Sequence, residues 1–297
     1  MARCLVTGHK GYIGSRLIKE LQNQGHEVMG IDLNGEVPRD INSFSGLKED
    51  QQGNFHPAYW HFKPEYVFHL ACIPRVAYSV EEPVETMHNN VLAGSNVLNF
   101  AKKVGAKRVI YSSSSSIVGN GAGPTNPYAL QKMTTEIETR LYAELYGIDT
   151  VSLRYFNVYS EDQKADGPYA TAICNWMQYI RDGKNPFITG DGTQRRDMLH
   201  VSDAVSANIF AMEHEGSFGG KSFDCGTGLN ISLNDVKKIV LSHFPDVQFE
   251  YAPARPGDVM VTMAKKSPIA RLGWETKVDI LEGINKCFQS LKGELEC

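Results

Sequence analysis

The sequence predicts an α/β fold: a Rossmann-type doubly wound parallel sheet, followed by a smaller C-terminal α/β lobe. Three observations carry this. Short apolar, strand-like runs alternate with helix-period segments through the first half of the 297-residue chain. The first of these runs enters a glycine-rich turn, Gly8-His9-Lys10-Gly11-Tyr12-Ile13-Gly14, that opens a helical segment. The second half loses the regular alternation, and Pro and Gly become frequent around 183–192 and 253–257.

Taken in order, Arg3–Thr7 is a short apolar strand, and Tyr12–Gln24 is helical in period and stopped by Gly25. Glu27–Ile31 is a second strand. Tyr66–Leu70 is a third, whose Val-Phe-His-Leu content suits a buried parallel strand. Val84–Lys103 reads as one long helix with a break near Gly94. Arg108–Ser112 is a fourth strand, Asn126–Tyr146 a long helix closed by Gly147, and Thr150–Tyr155 a fifth strand. Beyond these, Ala170–Arg181, Ser202–Glu213, Leu233–Phe244 and Asp279–Leu291 are helical, with short strands between them. We expect residues 1–157 to form the sheet domain, with segments near 197–226 returning to it, and 158–297 to form the second lobe. There is no internal repeat, and Ser112–Ser116 is the one low-complexity stretch.

Composition narrows the function. With 42% hydrophobic and 22% charged residues, the chain is neither a disordered segment nor a small disulfide scaffold. A net charge of −4 leaves no basic footprint for nucleic acid, and no Lys/Arg cluster suits an anionic membrane. The six cysteines (Cys4, Cys72, Cys174, Cys225, Cys287 and Cys297) form no C-x-x-C pair, which suggests neither a zinc site nor a disulfide framework. No apolar run approaches the roughly 18 residues that span a bilayer. The N-terminus enters a strand at once, leaving no room for a signal peptide, so a cytoplasmic, reducing location is expected.

The Gly8–Gly14 turn has the spacing G-x-x-G-x-x-G. Glycines between a strand and a helix let backbone approach a pyrophosphate, with the helix N–H groups and positive dipole end facing it. An incidental turn is the plainer alternative. The second strand sharpens the reading, because it ends at Asp32, 18 residues after Gly14, where a carboxylate can accept from a ribose 2′-hydroxyl. That carboxylate would repel the extra phosphate of NADP, and Leu33 and Asn34 supply no cation for it, which favours NAD.

Tyr128 and Lys132 are four apart on the 126–146 helix and so share a face. A Tyr hydroxyl acting as a base near neutrality must lose about 3 pH units, roughly 4 kcal/mol, from its ordinary value. A nearby ammonium, together with the positive ring of an oxidised nicotinamide, would favour the phenolate. The fourth strand runs into Ser112–Ser116, placing hydroxyls at its carboxyl end, where α/β sheets bind ligands. The plainer reading of this run is a polar turn.

Together these residues resemble an extended short-chain dehydrogenase/reductase, more closely the NAD-dependent epimerase/dehydratase family that acts on nucleotide sugars. Further segments resemble that family in order: His69-Leu70-Ala71; Asn89-Asn90-Val91; Leu153-Arg154-Tyr155-Phe156-Asn157-Val158-Tyr159; Gly190-Asp191-Gly192-Thr193-Gln194-Arg195-Arg196-Asp197-Met198-Leu199-His200-Val201; and Arg255-Pro256-Gly257-Asp258. The resemblance implies Ser114, Tyr128 and Lys132 as catalytic residues. It implies cofactor contacts from Gly8, Gly11, Tyr12, Ile13, Gly14, Asp32, Leu33, Asp40, Ile41, Leu70, Ala71, Asn90, Ser112 and Tyr155, besides Tyr128 and Lys132. It implies substrate contacts from Asn157, Thr171, Arg196, Arg255, Asp258 and Thr262, besides Ser114, and no metal. Guanidinium groups suit a diphosphate; surface ion pairs of Arg196 with Asp197 and of Arg255 with Asp258 are the alternative. The first domain would then hold NAD and the second lobe a UDP-sugar.

Family dehydratases and decarboxylases tend to carry an acid just after the catalytic Ser/Thr, where this chain has Ser115 and Ser116. That favours 4-epimerisation of a UDP-hexose through a transient 4-keto sugar. A 4-keto-sugar reductase and a non-catalytic NAD-binding regulator are the alternatives. Thr262 stands where a larger aromatic narrows the pocket in strict glucose/galactose epimerases, which leaves room for an N-acetyl group. The chain also departs from the family. Eight residues separate Gly119 from Tyr128 where the family has a longer loop, and Val118 and Ser160 replace a Tyr and a Gly. The resemblance also implies a homodimer built on the 84–103 and 126–146 helices, although Leu141 and Leu145 could equally belong to an internal core.

Overall fold

The structure is a computed structural model and describes residues 1–34, 39–43, 46–119, 121, 123–163, 171–254 and 259–296. The first half runs β1 (Arg3–Thr7), α1 (Tyr12–Asn23), β2 (Glu27–Ile31), α2 (Pro57–Phe62), β3 (Tyr66–His69), α3 (Val76–Glu81) and α4 (Pro83–Met87). After a π-helical turn at His88–Leu92 come α5 (Ala93–Val104), β4 (Arg108–Ser114), a 3-10 turn at Ser115–Val118, α6 (Pro127–Tyr146) and β5 (Asp149–Tyr155). The second half holds α7 (Ala172–Arg181), β6 (Phe187–Thr189), β7 (Arg195–Arg196), α8 (Val201–Glu213), β8 (Lys221–Cys225) and β9 (Ile231–Ser232). It ends with α9 (Leu233–His243), β10 (Glu250–Ala252), α10 (Ser267–Ala270) and α11 (Ile280–Glu296).

Among the described residues, six strands form the main sheet in the order β2-β1-β3-β4-β5-β8. The β1–β2, β1–β3 and β3–β4 pairs are parallel, with Leu5 opposite Met29 on one side and Val67 on the other. Both faces are covered, as a parallel sheet requires. Leu5, Val67 and Val109 pack with Val97, Phe100 and Ala101 of α5. On the opposite face, the Cys4 thiol meets Met212 of α8 at 3.7 Å. The chain leaves β1 for β2 on one side and returns to β3 on the other. The crevice at the carboxyl ends of β1 and β3 is therefore the switch point where such sheets bind ligands.

Two short helices, α2 and α3, lie where periodicity gave no signal, since six residues are too few to show a period. The expected Val84–Lys103 helix is two helices joined by the π turn. Its irregularity therefore precedes Gly94, and that glycine serves packing instead: a Cβ there would meet Thr135 Cγ2 of α6 at 2.6 Å. Strand β4 runs on to Ser114, so three of the five serines are strand residues.

Contacts divide the chain into two compact units, 1–117 with 124–154 and 205–223, and 118–123 with 155–204 and 224–297. In the first, buried Arg108 ties strands to the end of α8. Its Nε donates to Asp149 Oδ2 at 2.6 Å, and its two Nη groups donate to the carbonyls of Ala211, Met212, His214 and Gly216. The Ala211 and Met212 carbonyls are among the acceptors that a helix end leaves unpaired, and those of His214 and Gly216 follow directly after α8. Arg108→Ala strands them together with a largely buried carboxylate, so we expect urea unfolding to show a loss of about 3–5 kcal/mol. A loss within about 0.5 kcal/mol, the range of ordinary surface changes, would contradict this role. The second unit packs Ile173, Trp176 and Met177 of α7, Val236 and Val240 of α9, and Ile284, Phe288 and Leu291 of α11 into its own core. Parallel β6–β10 and antiparallel β7–β9 pairs border that core.

Candidate active site

The turn after β1 is built from glycine because nothing larger fits. Gly8 has φ +72°, and a Cβ on it would lie 2.7 Å from Ala71 N in the segment after β3. A Cβ on Gly14 would lie 2.2 Å from the Gly8 carbonyl oxygen. Gly11 N–H donates to that same oxygen at 3.0 Å, closing the turn. Gly11 is also the N-cap of α1 and, having no side chain, provides no side-chain cap to the first turn of that helix. The caps of α6, α7 and α9 differ, since Asn126, Thr171 and Ser232 each accept a backbone N–H. Asp32 closes the arrangement. Its Oδ2 accepts Lys10 N–H at 2.8 Å and its Oδ1 accepts Asn34 N–H at 2.9 Å. A tight backbone cradle, a helix that starts on a glycine N-cap and an adjacent carboxylate fit the pyrophosphate and ribose of a dinucleotide.

Beneath the cradle, the Thr7 hydroxyl lies 2.8 Å from His69 Nδ1 and accepts Ala71 N–H at 3.2 Å, fixing the Leu70–Ala71 segment. Burial, aided by the charge of Lys132, pushes His69 down to about 3, so this ring is neutral at physiological pH. Asn90 lies in the π turn with its amide committed to the chain. Oδ1 accepts Ile73 N–H at 2.7 Å, and Nδ2 donates to Ile73 O and Gln131 Oε1. It therefore joins the cofactor-lining segment to α6. Leu33 is exposed, Asp40 turns its carboxylate onto Asn42 N–H, and Ile41 packs in the core.

Helix α6 starts at Asn126, whose side chain accepts Ala129 N–H, with Pro127 at the first helical position. Its buried face is polar: Tyr128, Gln131, Lys132, Thr135, Glu136 and Thr139. Tertiary partners explain this inversion of the usual pattern. Gln131 Nε2 donates to Thr86 Oγ1 at 2.9 Å. Glu136 accepts Ser113 Oγ–H at 2.7 Å, Ser222 Oγ–H at 2.6 Å and a two-armed contact from Arg154. Lys132, only 3% exposed, donates from Nζ to Ser112 O at 2.7 Å. Burial works against its charge, but Cys72 and Tyr128 together offset this and hold it above its ordinary value. Tyr128 sits in the same buried space. Burial raises its phenol well above the usual value, while Lys132 and a hydrogen bond with Ser114 pull the other way. Burial outweighs Lys132 at the phenol, so the ammonium alone does not deliver the phenolate.

The second unit gathers Asn157, Arg196 and Thr262. Asn157 adopts φ +38°, and its Nδ2 donates to Asp197 O at 2.7 Å. Thr262 Oγ1 accepts Asp197 N–H at 3.3 Å. The Asp197 carboxylate is fully buried and accepts from Thr227 N–H, Thr227 Oγ–H, Gly228 N–H and Ala264 N–H. It holds together the segments that carry these residues, and those four donors, rather than an ion pair with Arg196, satisfy it. Thr171 caps α7, its hydroxyl accepting Cys174 N–H at 3.3 Å, and Tyr155 is buried at the end of β5. Arg255 and Asp258 lie outside the described residues. Gln131 and Glu136 look like ordinary polar residues in the sequence, and Asp197 looks like a surface ion-pair partner of Arg196, until their buried partners are known. Among the described residues, no cluster of His, Cys, Asp or Glu could hold a metal, and no helix is long and apolar enough to cross a membrane.

Residues 4–226 match the NAD dependent epimerase/dehydratase family. The chain belongs to that family. Among epimerase/dehydratase relatives, the UDP-glucose 4-epimerase of Mycolicibacterium smegmatis is 30% identical over 98% of this chain and 99% of its own length. A UDP-N-acetyl-alpha-D-glucosaminuronate decarboxylase of Bacillus cytotoxicus is 33% identical over 86% of this chain and 89% of its own. The crystal structure of Thermus thermophilus UDP-glucose 4-epimerase in complex with NAD superposes with a TM-score of 0.84, at 26% identity, covering 98% of this chain and 99% of that one.

Proposed function

We propose that this epimerase/dehydratase family member inverts C4 of a UDP-hexose, either UDP-glucose/galactose or UDP-GlcNAc/GalNAc, with NAD as its bound cofactor. The observation that carries the reading is the convergence of Tyr128, Lys132 and Ser114 beside the glycine cradle. Gly8, Gly11, Gly14 and the start of α1 would hold the pyrophosphate, and Asp32 the adenosine ribose. Bound NAD would supply the hydride acceptor and donor for C4. Tyr128 removes the 4-hydroxyl proton and gives it back on return. Ser114 supports the Tyr128 oxygen, and the Lys132 ammonium favours the phenolate. Arg196, Asn157 and Thr262 would contact the nucleotide diphosphate and sugar. The chain has Ser115 and Ser116 where dehydration or decarboxylation would call for a carboxyl group, so inversion is favoured over elimination.

The outer face of α6 supports a homodimer: Leu130, Met133, Ile137, Leu141 and Leu145 are all exposed, Leu145 by 67%. Val84 and Met87 of α4 are exposed as well. A second copy of this chain would cover that apolar stripe. Free cysteines and the absence of a spanning helix among the described residues fit a cytoplasmic location. Purified protein incubated with UDP-glucose, UDP-galactose, UDP-GlcNAc and UDP-GalNAc, without added cofactor, should invert at least one at C4 by NMR with no net NADH. It should run as a dimer by light scattering. Stoichiometric NADH consumption on a 4-keto sugar, without inversion of any of the four, would overturn the epimerase reading in favour of a reductase.

A further inference from the structure

The serine run holds a hydrogen-bond order that the family resemblance does not supply. Ser114 ends β4, and Ser116 lies one residue into the 3-10 turn that follows. Ser116 contacts the Ser114 hydroxyl twice: its Oγ donates to Ser114 Oγ at 2.9 Å, and its backbone N–H donates to the same atom at 3.2 Å. A serine hydroxyl has one proton to give and two lone pairs to fill. Ser116 fills both lone pairs, so Ser114 retains only its proton to give, and Tyr128 is the neighbouring group on which Ser114 bears. We propose that Ser116 is a positioning residue that locks the Ser114 hydroxyl as a donor toward the Tyr128 oxygen.

This inference rests on the epimerase reading and sharpens it. A Ser114 that cannot accept cannot take the hydrogen bond of the sugar 4-hydroxyl, so that proton is directed to Tyr128 alone. A Ser114 that must donate stabilises the phenolate over the phenol, because only the charged oxygen gains from a donor it does not have to answer. Four ionisable groups bear on this centre: Tyr128 itself, Lys132 one turn further along α6, Cys72 after β3, and Tyr111 in β4. Cys72 and Tyr111 oppose the phenolate, which leaves Lys132 and the oriented Ser114 as the chain's own groups that favour it. Ser116→Ala removes the hydroxyl donor and keeps the backbone one. Ser114 then regains a lone pair and can accept from a neutral Tyr128 or from the sugar.

The test is the pH profile of kcat/KM for the wild type, Ser116→Ala and Ser116→Thr. Ser116→Ala should move the acid limb upward by roughly half to one pH unit, with rates below the limb falling about three- to tenfold. Bound NAD and the thermal midpoint should stay at wild-type values, and Ser116→Thr, which restores a hydroxyl, should return the limb to its original position. An active wild type whose acid limb is the same in Ser116→Ala overturns this inference and leaves the epimerase reading standing. So does a shifted limb that Ser116→Thr fails to restore, because the hydroxyl is then not the cause. A wild type that inverts no UDP-sugar overturns the reaction itself, and this inference with it.

Discussion

Tyr128→Phe should abolish turnover while leaving NAD in place. The ring is buried and its shape is kept, so neither the fold nor the cradle is disturbed. Only the hydroxyl is lost, and with it the group that exchanges a proton with the sugar O4. Removing a positioned general base of this kind lowers kcat by about 10²–10⁴-fold. Lys132 remains anchored through Ser112 O, so the loss cannot be attributed to its displacement. The two readouts are C4 inversion by NMR and NAD released on denaturation. Wild-type turnover in the variant would remove Tyr128 from the chemistry, whereas loss of both turnover and NAD would point to a structural defect. Burial makes the phenol a weaker acid than a free tyrosine, so the phenolate must be recovered from Lys132, the Ser114 donor and the positive nicotinamide ring. The phenolate is the active form, and its fraction grows with pH. Activity should therefore decline on the acid side, and an enzyme emptied of NAD should hold Tyr128 protonated to higher pH than the filled one.

The expected strand and helix positions of the first half agree closely with the observed ones. Arg3–Thr7 and Glu27–Ile31 coincide with β1 and β2, and α6 begins within one residue of the expected start. Such segments are legible because one constraint, burial on both faces of a parallel sheet or a capped start with a glycine stop, writes itself into adjacent residues. Helices α2 and α3 are anchored by distant contacts and leave no local period. The π turn at His88–Leu92 is invisible for the same reason: its register change serves Asn90, whose partners Ile73 and Gln131 lie 17 and 41 residues away. The site divides likewise. Gly8, Gly14, Asp32, Tyr128 and Lys132 carry their meaning in spacing. Asp197 and Glu136 carry theirs in tertiary hydrogen bonds, and a sequence displays them only as acids beside an arginine or a threonine. Leu141 and Leu145, ambiguous as residues on a helix, become unambiguous once α6 is seen to bury its polar face and expose its apolar one.

Gly14→Ala should empty the cofactor site, and the reason is space alone. Gly14 is an ordinary helical residue of α1 and needs no special backbone angle, so alanine would raise helix propensity there. The added methyl would nevertheless lie 2.2 Å from Gly8 O, 2.9 Å from Gly8 C and 3.0 Å from His9 Cα. All three are backbone atoms of the turn, and none can swing aside as a side-chain tip would. The turn must move, and Gly8 has little freedom to move with it, because it donates to Ile31 O at 2.8 Å and lies against Ala71. Overpacking of this kind costs about 1–3 kcal/mol, and displacing the N–H groups that face the pyrophosphate should weaken NAD binding roughly 10- to 100-fold. Gly25→Ala is the matched control. It sits at the other end of the same helix at φ +80° with no atom within 4 Å of the new Cβ, so it carries backbone strain without any steric encounter. If calorimetry finds NAD affinity reduced in Gly14→Ala and unchanged in Gly25→Ala, the loss belongs to the cradle. Equal affinity in the two variants would mean that the close approach of α1 to the turn is not what holds the cofactor.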